Sequence, residues 1–338
     1  MGFRTGHRHN RGEAGVEHSY LSGPGRRQRR PGSGLSEGIS VAIDLKEGEQ
    51  VLEINGGNVV YEILGASGSG ECIALTPGGR FSKDIPGLRP LAEALVTGGY
   101  RVLLWDRPNC GKSDVQFYGQ SESHMRAETL HALITELGIG PCILAGGSGG
   151  ARDSMLTTML YPEMVTKLVV WNIVGGVYGS FVLGSYYIVP SILAVRGGGM
   201  KDVAKIGEWK ERIAENPDNE ARILGQDPDG FLKLMLRWLN AFVPKPGQTI
   251  PGVEDEMFDN ITVPTLIIRG GENDMDHPKR TSLEISCLIK GSTLIDPPWP
   301  EDAWERAGED RASGKVKHFN MFDTWVQAAP AILEFLGR

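Results

Sequence analysis

The sequence lacks the features of several common protein classes. Its 338 residues hold four cysteines, at positions 72, 110, 142 and 287, and no two have the Cys-x-x-Cys spacing of a redox or zinc motif. Cys72 and Cys142 fall in apolar runs that suit buried free thiols, and a reducing cytoplasm is the expected location. Of only seven histidines, His7, His9 and His18 lie in the first 39 residues. None joins other ligand types in a metal-binding pattern, so neither metal nor cofactor is implied. Positive charge is not in surplus: the formal net charge is −7, and no nucleic-acid or anionic-membrane partner is expected. A long unbroken apolar run is also missing. The longest, Tyr178 to Val195, is interrupted by Gly179, Ser180, Gly184, Ser185, Pro190 and Ser191. It reads as a lid helix over an apolar pocket rather than a membrane span. Residues 1–39 contain no apolar segment of the secretory kind, and no such signal is expected.

What is present is an ordinary globular composition, 40% hydrophobic and 23% charged, behind an unusual start. Residues 1–39 are rich in Gly, Arg, Ser and Pro, with seven Arg and only three acids, and are expected to be disordered. The remainder holds 28 basic against 39 acidic side chains. Residues 51–54 and 59–64, separated by Gly56-Gly57, predict a β-hairpin. Short apolar strands then alternate with helices. Strands are predicted at 72–75, 100–105, 142–145 and 167–171, with helices at 88–96, 121–137 and 151–160. This order implies an α/β fold with a mostly parallel sheet and helices on both faces. From about 175 to 259 the rhythm becomes helical throughout. Strands return at 264–268 and 292–296, with helices at 279–288 and 322–336. The organisation expected is a core of residues 40–174 and 260–338, interrupted by a helical cap at 175–259.

The chemistry centres on Gly146-Gly147-Ser148-Gly149-Gly150. This Gly-x-Ser-x-Gly follows a predicted strand and precedes a predicted helix, the context of a nucleophile elbow. A serine on so sharp a turn is exposed above the sheet at a helix N-terminus. The N–H of Gly149 is then placed to stabilise an oxyanion. A glycine-rich phosphate loop is the competing explanation, but no Gly-x-x-x-x-Gly-Lys-Ser/Thr pattern is present.

A serine nucleophile needs a base, and the base needs an orienting acid. His124 and His131 precede the elbow on one helix face and are poorly placed. His277 shares a turn with Glu272, Asp274 and Asp276 at the proper end of the sheet and is a competitor. His318 lies after the last predicted strand and is the expected base, with Asp274 as the acid and Asp276 as its alternative. A second oxyanion donor is expected from Thr76-Pro77-Gly78-Gly79-Arg80-Phe81, as the N–H of Gly79 or Arg80. Arg80, Arg152 and Trp299 are the candidate substrate-binding residues. Arg152 is equally suited to pairing with Asp106 or Asp153. The loop holding Trp299 and Trp304 is a candidate pocket wall.

Several segments, in order, resemble the α/β-hydrolase superfamily. Trp105 to Ser113 is similar to its Asp-x-Arg-Gly-x-Gly-x-Ser loop. Tyr161-Pro162-Glu163-Met164-Val165 is similar to the motif after the elbow helix, and Val263 through Asp274 to its acid strand and turn. The resemblance implies an α/β-hydrolase fold and a serine hydrolase with an acyl-enzyme. Carboxylic esters or lactones of small to medium, partly apolar molecules are the first expectation. The Gly-Gly-Ser elbow and adjoining region are also similar to proline iminopeptidases and carbon–carbon bond hydrolases. A non-catalytic scaffold is disfavoured because serine, acid and histidine occur in order. Three departures stand out: Pro77-Gly78 where the family has His-Gly, Lys317 rather than glycine before His318, and about twenty residues between Asp296 and His318. A small-molecule substrate is the expected partner, and a homodimer stays open with no residue pointing to it.

Overall fold

The computed structural model describes residues 43–65, 70–318 and 320–337; the expected disordered tail, residues 1–39, lies outside them. The chain forms β1 (Gln50–Ile54), β2 (Gly57–Leu64), β3 (Cys72–Thr76), α1 (Leu88–Thr97), β4 (Arg101–Trp105), α2 (Glu122–Glu136), β5 (Cys142–Gly147), α3 (Gly149–Leu160) and β6 (Val165–Trp171). Six helices follow: α4 (Gly176–Tyr187), α5 (Val189–Gly198), α6 (Met200–Val203), α7 (Gly207–Glu215), α8 (Asp218–Leu224) and α9 (Pro228–Asn240). The chain then returns to the sheet as β7 (Thr265–Ile268), α10 (Lys279–Leu288), β8 (Thr293–Ile295), α11 (Ala303–Ala312) and α12 (Ala329–Leu336). The eight strands lie in the order β1-β2-β4-β3-β5-β6-β7-β8. The predicted hairpin is the antiparallel edge, β2 runs antiparallel to β4, and all remaining pairings are parallel.

Strand alternation sorts the core onto two faces. Ala74, Leu144 and Val170 point into a cluster with α2, α3 and α10. Their neighbours Leu75, Ala145 and Trp171 point into a second cluster with α1 and α12. Because both faces are covered, these strands are apolar throughout rather than alternating. Each fully buried large aliphatic side chain contributes about 1.5–3 kcal/mol relative to exposure.

The helices between β6 and β7 form a third cluster, built on Trp209, Met235 and Trp238 and reaching Val115 and Met125 of the sheet-forming part. Residues 176–198 are long and apolar enough to cross a membrane, and one third of that stretch is buried. Helix α11 was not evident from periodicity. Its sequence, AWERAGEDRA, buries no residue. It has good helix formers but no apolar stripe to announce it.

Candidate active site

Ser148 stands between the end of β5 and the start of α3, with φ 55° and ψ −123°. A non-glycine residue in that region is strained and must be held by its surroundings. Two contacts do so: the Ser148 N–H donates to the Trp171 carbonyl at 3.1 Å, and the Ser148 carbonyl accepts from Ala151 N–H at 3.1 Å. The flanking glycines are sterically required. A Cβ on Gly146 would lie 2.5 Å from the Gly150 carbonyl oxygen, and one on Gly150 would lie 2.2 Å from that of Thr76.

The imidazole that meets Ser148 belongs to His277. Its Nε2 is 2.8 Å from Ser148 Oγ, and its Nδ1 is 2.9 Å from Asp274 Oδ2. All three side chains are buried. A carboxylate can only accept, so Nδ1 carries the proton and Nε2 is left to accept from the serine hydroxyl. Asp274 also shapes the turn that delivers its partner. Its Oδ1 accepts from the backbone N–H of Asp276 at 3.0 Å and of His277 at 2.9 Å. This is the local side-chain-to-backbone bonding at which aspartate excels. The turn is tight enough that a Cβ on Gly270 would meet the His277 carbonyl at 1.9 Å.

The expectation of His318 as the base is therefore corrected. His318 is 58% exposed and its Nε2 lies 3.1 Å from Asp323. After β8 the chain departs into α11 instead of turning back over the serine. What it returns to Ser148 is Phe322: a Cβ placed on Gly78 would be 2.9 Å from both the Phe322 ring and Ser148 Cβ. Asp274 stands where the sequence placed it, whereas Asp276 accepts from Trp304 Nε1 at 3.0 Å. Trp304 sets its ring edge-on to His277, with centroids 4.4 Å apart. Trp299 does not reach the pocket. It is buried in the cluster with Trp171 and Trp325, so Trp304 is the aromatic of that loop that meets the site.

Gly149 and Gly79 line the same pocket as Ser148. Gly149 is the first residue of α3, and its N–H has no intrahelical acceptor. The loop carrying Gly79 is oriented by Arg107, whose Nη2 donates to the carbonyls of Gly78 and Gly79, each at 2.8 Å. Carbonyl and N–H point oppositely across a trans peptide, so the N–H of Gly79 faces away from Arg107. Arg80 also lies against Tyr187, whose hydroxyl pKa is raised, chiefly by burial.

The other wall of the pocket is charged. Arg80 pairs with Glu122 at 3.0 Å and Glu208 at 2.8 Å, and its guanidinium lies over the rings of Trp209 and Tyr187. Paired in this way, it still lines the pocket beside Ser148, where the sequence placed a candidate substrate-binding residue. Arg126 shares Glu122 at 3.1 Å, and Arg107 holds Asp153 at 2.9 Å. Burial alone would raise the Glu122 carboxyl, but Arg126 and Arg80, with a bond from Asn109, hold it down at about 2. Arg152 pairs with neither Asp106 nor Asp153. Its Nε donates to Ser123 Oγ at 2.9 Å, and its guanidinium lies 4.9 Å from the centre of the Phe242 ring. Sequence reasoning ranked His277 second, had Trp304 only within a candidate pocket wall, and missed the roles of Arg107 and Glu122. The signal available for His277 was the Asp-x-x-His spacing after Gly270-Gly271.

Comparison with known proteins agrees with this architecture. The signature of the alpha/beta hydrolase family matches residues 73–330. The chain is 28% identical over 271 residues to the 2-hydroxy-6-oxononadienedioate/2-hydroxy-6-oxononatrienedioate hydrolase of Klebsiella pneumoniae, covering 75% of this chain and 85% of that protein. The enzyme of the same name from Escherichia coli K12 is 36% identical over 123 residues, 36% of this chain and 38% of that one. Among solved structures, a hydrolase from Pseudomonas aeruginosa aligns with a TM-score of 0.55 at 18% identity, over 86% of this chain and 99% of its own. The enol-lactonase from Burkholderia xenovorans aligns with a TM-score of 0.52 at 17% identity, over 86% of this chain and all of its own. With an elbow serine on an eight-stranded, mostly parallel sheet and the family signature over most of its length, the chain is a hydrolase that belongs to the alpha/beta hydrolase family.

Proposed function

We propose that this hydrolase attacks a substrate carbonyl with Ser148 and passes through an acyl-enzyme, using His277 as base and Asp274 as its orienting acid. The observation that carries the reading is the continuous chain Asp274–His277–Ser148, with contacts of 2.9 and 2.8 Å. His277 Nε2 takes the hydroxyl proton as Oγ bonds to the carbonyl carbon. Asp274 stabilises the imidazolium through Nδ1. The N–H groups of Gly149 and Gly79 hold the developing oxyanion, aided by the N-terminus of α3. Collapse expels the leaving group, which takes the proton from His277. Water then enters by the same route and releases the acid. The helices between β6 and β7 act as the cap, contributing Leu183, Tyr187 and Phe242 to the pocket. A small molecule is the substrate that such a narrow, mostly closed site suits.

The first substrate class is a carboxylic ester or lactone, which this arrangement hydrolyses with no further group. A second reading is supported by the Klebsiella and Escherichia relatives. Their named substrates carry a ketone and two carboxylates but no ester. Hydrolysis at that ketone breaks a carbon–carbon bond, with the same serine forming the acyl-enzyme.

The test is covalent labelling with a neutral fluorophosphonate, read by intact mass and peptide mapping, beside Ser148→Ala. One adduct on Ser148, absent from the variant, is expected. A folded protein that takes no label would overturn the reading. Turnover of ester and dienedioate panels then separates the two bond types.

A further inference from the structure

The charged wall of the pocket is one anion short. Four arginines are buried there, at positions 80, 107, 126 and 152. Three carboxylates serve the first three: Glu208 and Glu122 hold Arg80, Glu122 also holds Arg126, and Asp153 holds Arg107. Arg152 has no ion-pair partner among the described residues. Its one polar contact is the neutral Ser123 hydroxyl, made through Nε. The two terminal nitrogens of its guanidinium have none, although the residue is only 9% exposed and lines the pocket with Ser148. Burial lowers its pKa, and the attraction of Asp153 and Glu122, neither of them in contact with it, does not make up the difference. Buried charges are ordinarily paired, and a buried arginine fork left open is pre-organised for a planar anion.

From this geometry we infer that Arg152 receives a carboxylate carried by the acyl half of the substrate, so that the natural substrates are monoanionic on that side. The inference rests on the acyl-serine reading above and holds for either bond type. The charge balance leaves one unmatched cation, which one carboxylate neutralises. A phosphate dianion would place excess negative charge beside Glu122. The acyl half is indicated because Arg152 lines the pocket together with Ser148, Gly149 and Gly79, the side of the serine that carries the oxyanion donors of the proposed mechanism. His277 must face the leaving group that it protonates. Arg152 lies four residues beyond Ser148 on α3, a rise of about 6 Å, so a short acyl chain spans the two.

The experiment compares para-nitrophenyl butyrate with the para-nitrophenyl hemiesters of succinate, glutarate and adipate, in wild type, Arg152→Gln and Arg152→Lys. Wild type is expected to favour the best hemiester over butyrate by about 10–100-fold in kcat/KM, the size of a charge-assisted contact. The ratio should fall toward one in Arg152→Gln and lie between in Arg152→Lys. Thermal shift supplies a readout free of turnover: valerate should stabilise wild type, valeramide should not, and valerate should lose its effect on Arg152→Gln. Equal rates on butyrate and every hemiester, or a ratio untouched by Arg152→Gln, overturns the subsite while fluorophosphonate labelling of Ser148 still stands. Absence of labelling overturns the acyl-serine reading instead, and the valerate shift then decides the subsite alone. If circular dichroism shows Arg152→Gln unfolded, the wild-type ratio and the valerate–valeramide contrast decide it.

Discussion

Two loops leave the same edge of the sheet, one after β7 and one after β8, from strands that pair directly. The first is short and glycine-rich, and it buries Asp274 and His277. The second is long, contains α11 with no buried residue, and leaves His318 exposed. By chain order the second is the expected source of a base. In the proposed mechanism the first supplies both acid and base, and the second contributes aromatic cover through Trp304 and Phe322. The contrast teaches that the position of a base is set by the turn able to hold an imidazole against the serine. One carboxylate that both caps its turn and binds the ring can place acid and base three residues apart.

The sharpest way to break this comparison is to remove each histidine in turn. His277→Ala should lower kcat/KM on the best ester by at least ~10³-fold, because serine, acid and base act as a unit. Asp274→Asn should cost nearly as much, since it disturbs both the turn and the tautomer. His318→Ala should stay within about twofold. If His318→Ala were the crippled variant and His277→Ala active, the assignment of roles to the two loops would be reversed.

Much of this molecule was legible in advance, for identifiable reasons. The strands at 72–76, 101–105, 142–147 and 165–171 announce themselves because both sheet faces are covered, making their sequences nearly continuous apolar runs. Ser148 announces itself because Gly146 and Gly150 are sterically demanded around it. The acid Asp274 follows its strand closely, so little chain intervenes to move it. The histidine that meets Ser148 was ranked second because histidine carries no local pattern. Its role depends on a through-space contact spanning 129 residues, and a loop's length says nothing of its path. Helix α11 escaped for a different reason: a helix that buries nothing leaves no period in its sequence.

A milder perturbation asks whether the β8 loop merely covers the β7 loop or also orients its histidine. Trp304 touches His277 with its ring and anchors to Asp276 through Nε1–H. Edge-to-face aromatic contacts contribute about 0.5–1.5 kcal/mol. Trp304→Ala should therefore reduce kcat up to about tenfold with little change in KM. It should also shift the acidic limb of the pH–rate profile, on which a general base is lost by protonation. Trp304→Phe, which keeps a ring, should recover most of the rate. A loss confined to thermal stability, with kcat and the pH profile intact, would reduce Trp304 to packing.

The smallest effect concerns the charged wall opposite the aromatics and is read in stability, not rate. Arg80 binds two carboxylates whose pKa values move in opposite directions. Burial raises Glu208 above its usual 4.5 despite Arg80, whereas Arg126 and Arg80 overcome burial at Glu122 and hold it at about 2. For Glu122 the unfolded chain binds the proton more tightly than the folded one. Its contribution to stability is thus fully present above about pH 4.5 and is lost as pH falls toward 2. Glu122→Gln should accordingly be less stable than wild type at pH 7, with the gap narrowing steadily below pH 4.5. For Glu208 the sign inverts. Its carboxyl takes up a proton more readily in the folded state, so Glu208→Gln should leave the low-pH loss in place. Chemical denaturation of the three proteins between pH 7 and pH 3 measures this. A Glu122→Gln gap that stays constant across that range would mean that Arg80 and Arg126 do not hold Glu122 ionised, and that the wall carries more unbalanced positive charge than its pairing indicates.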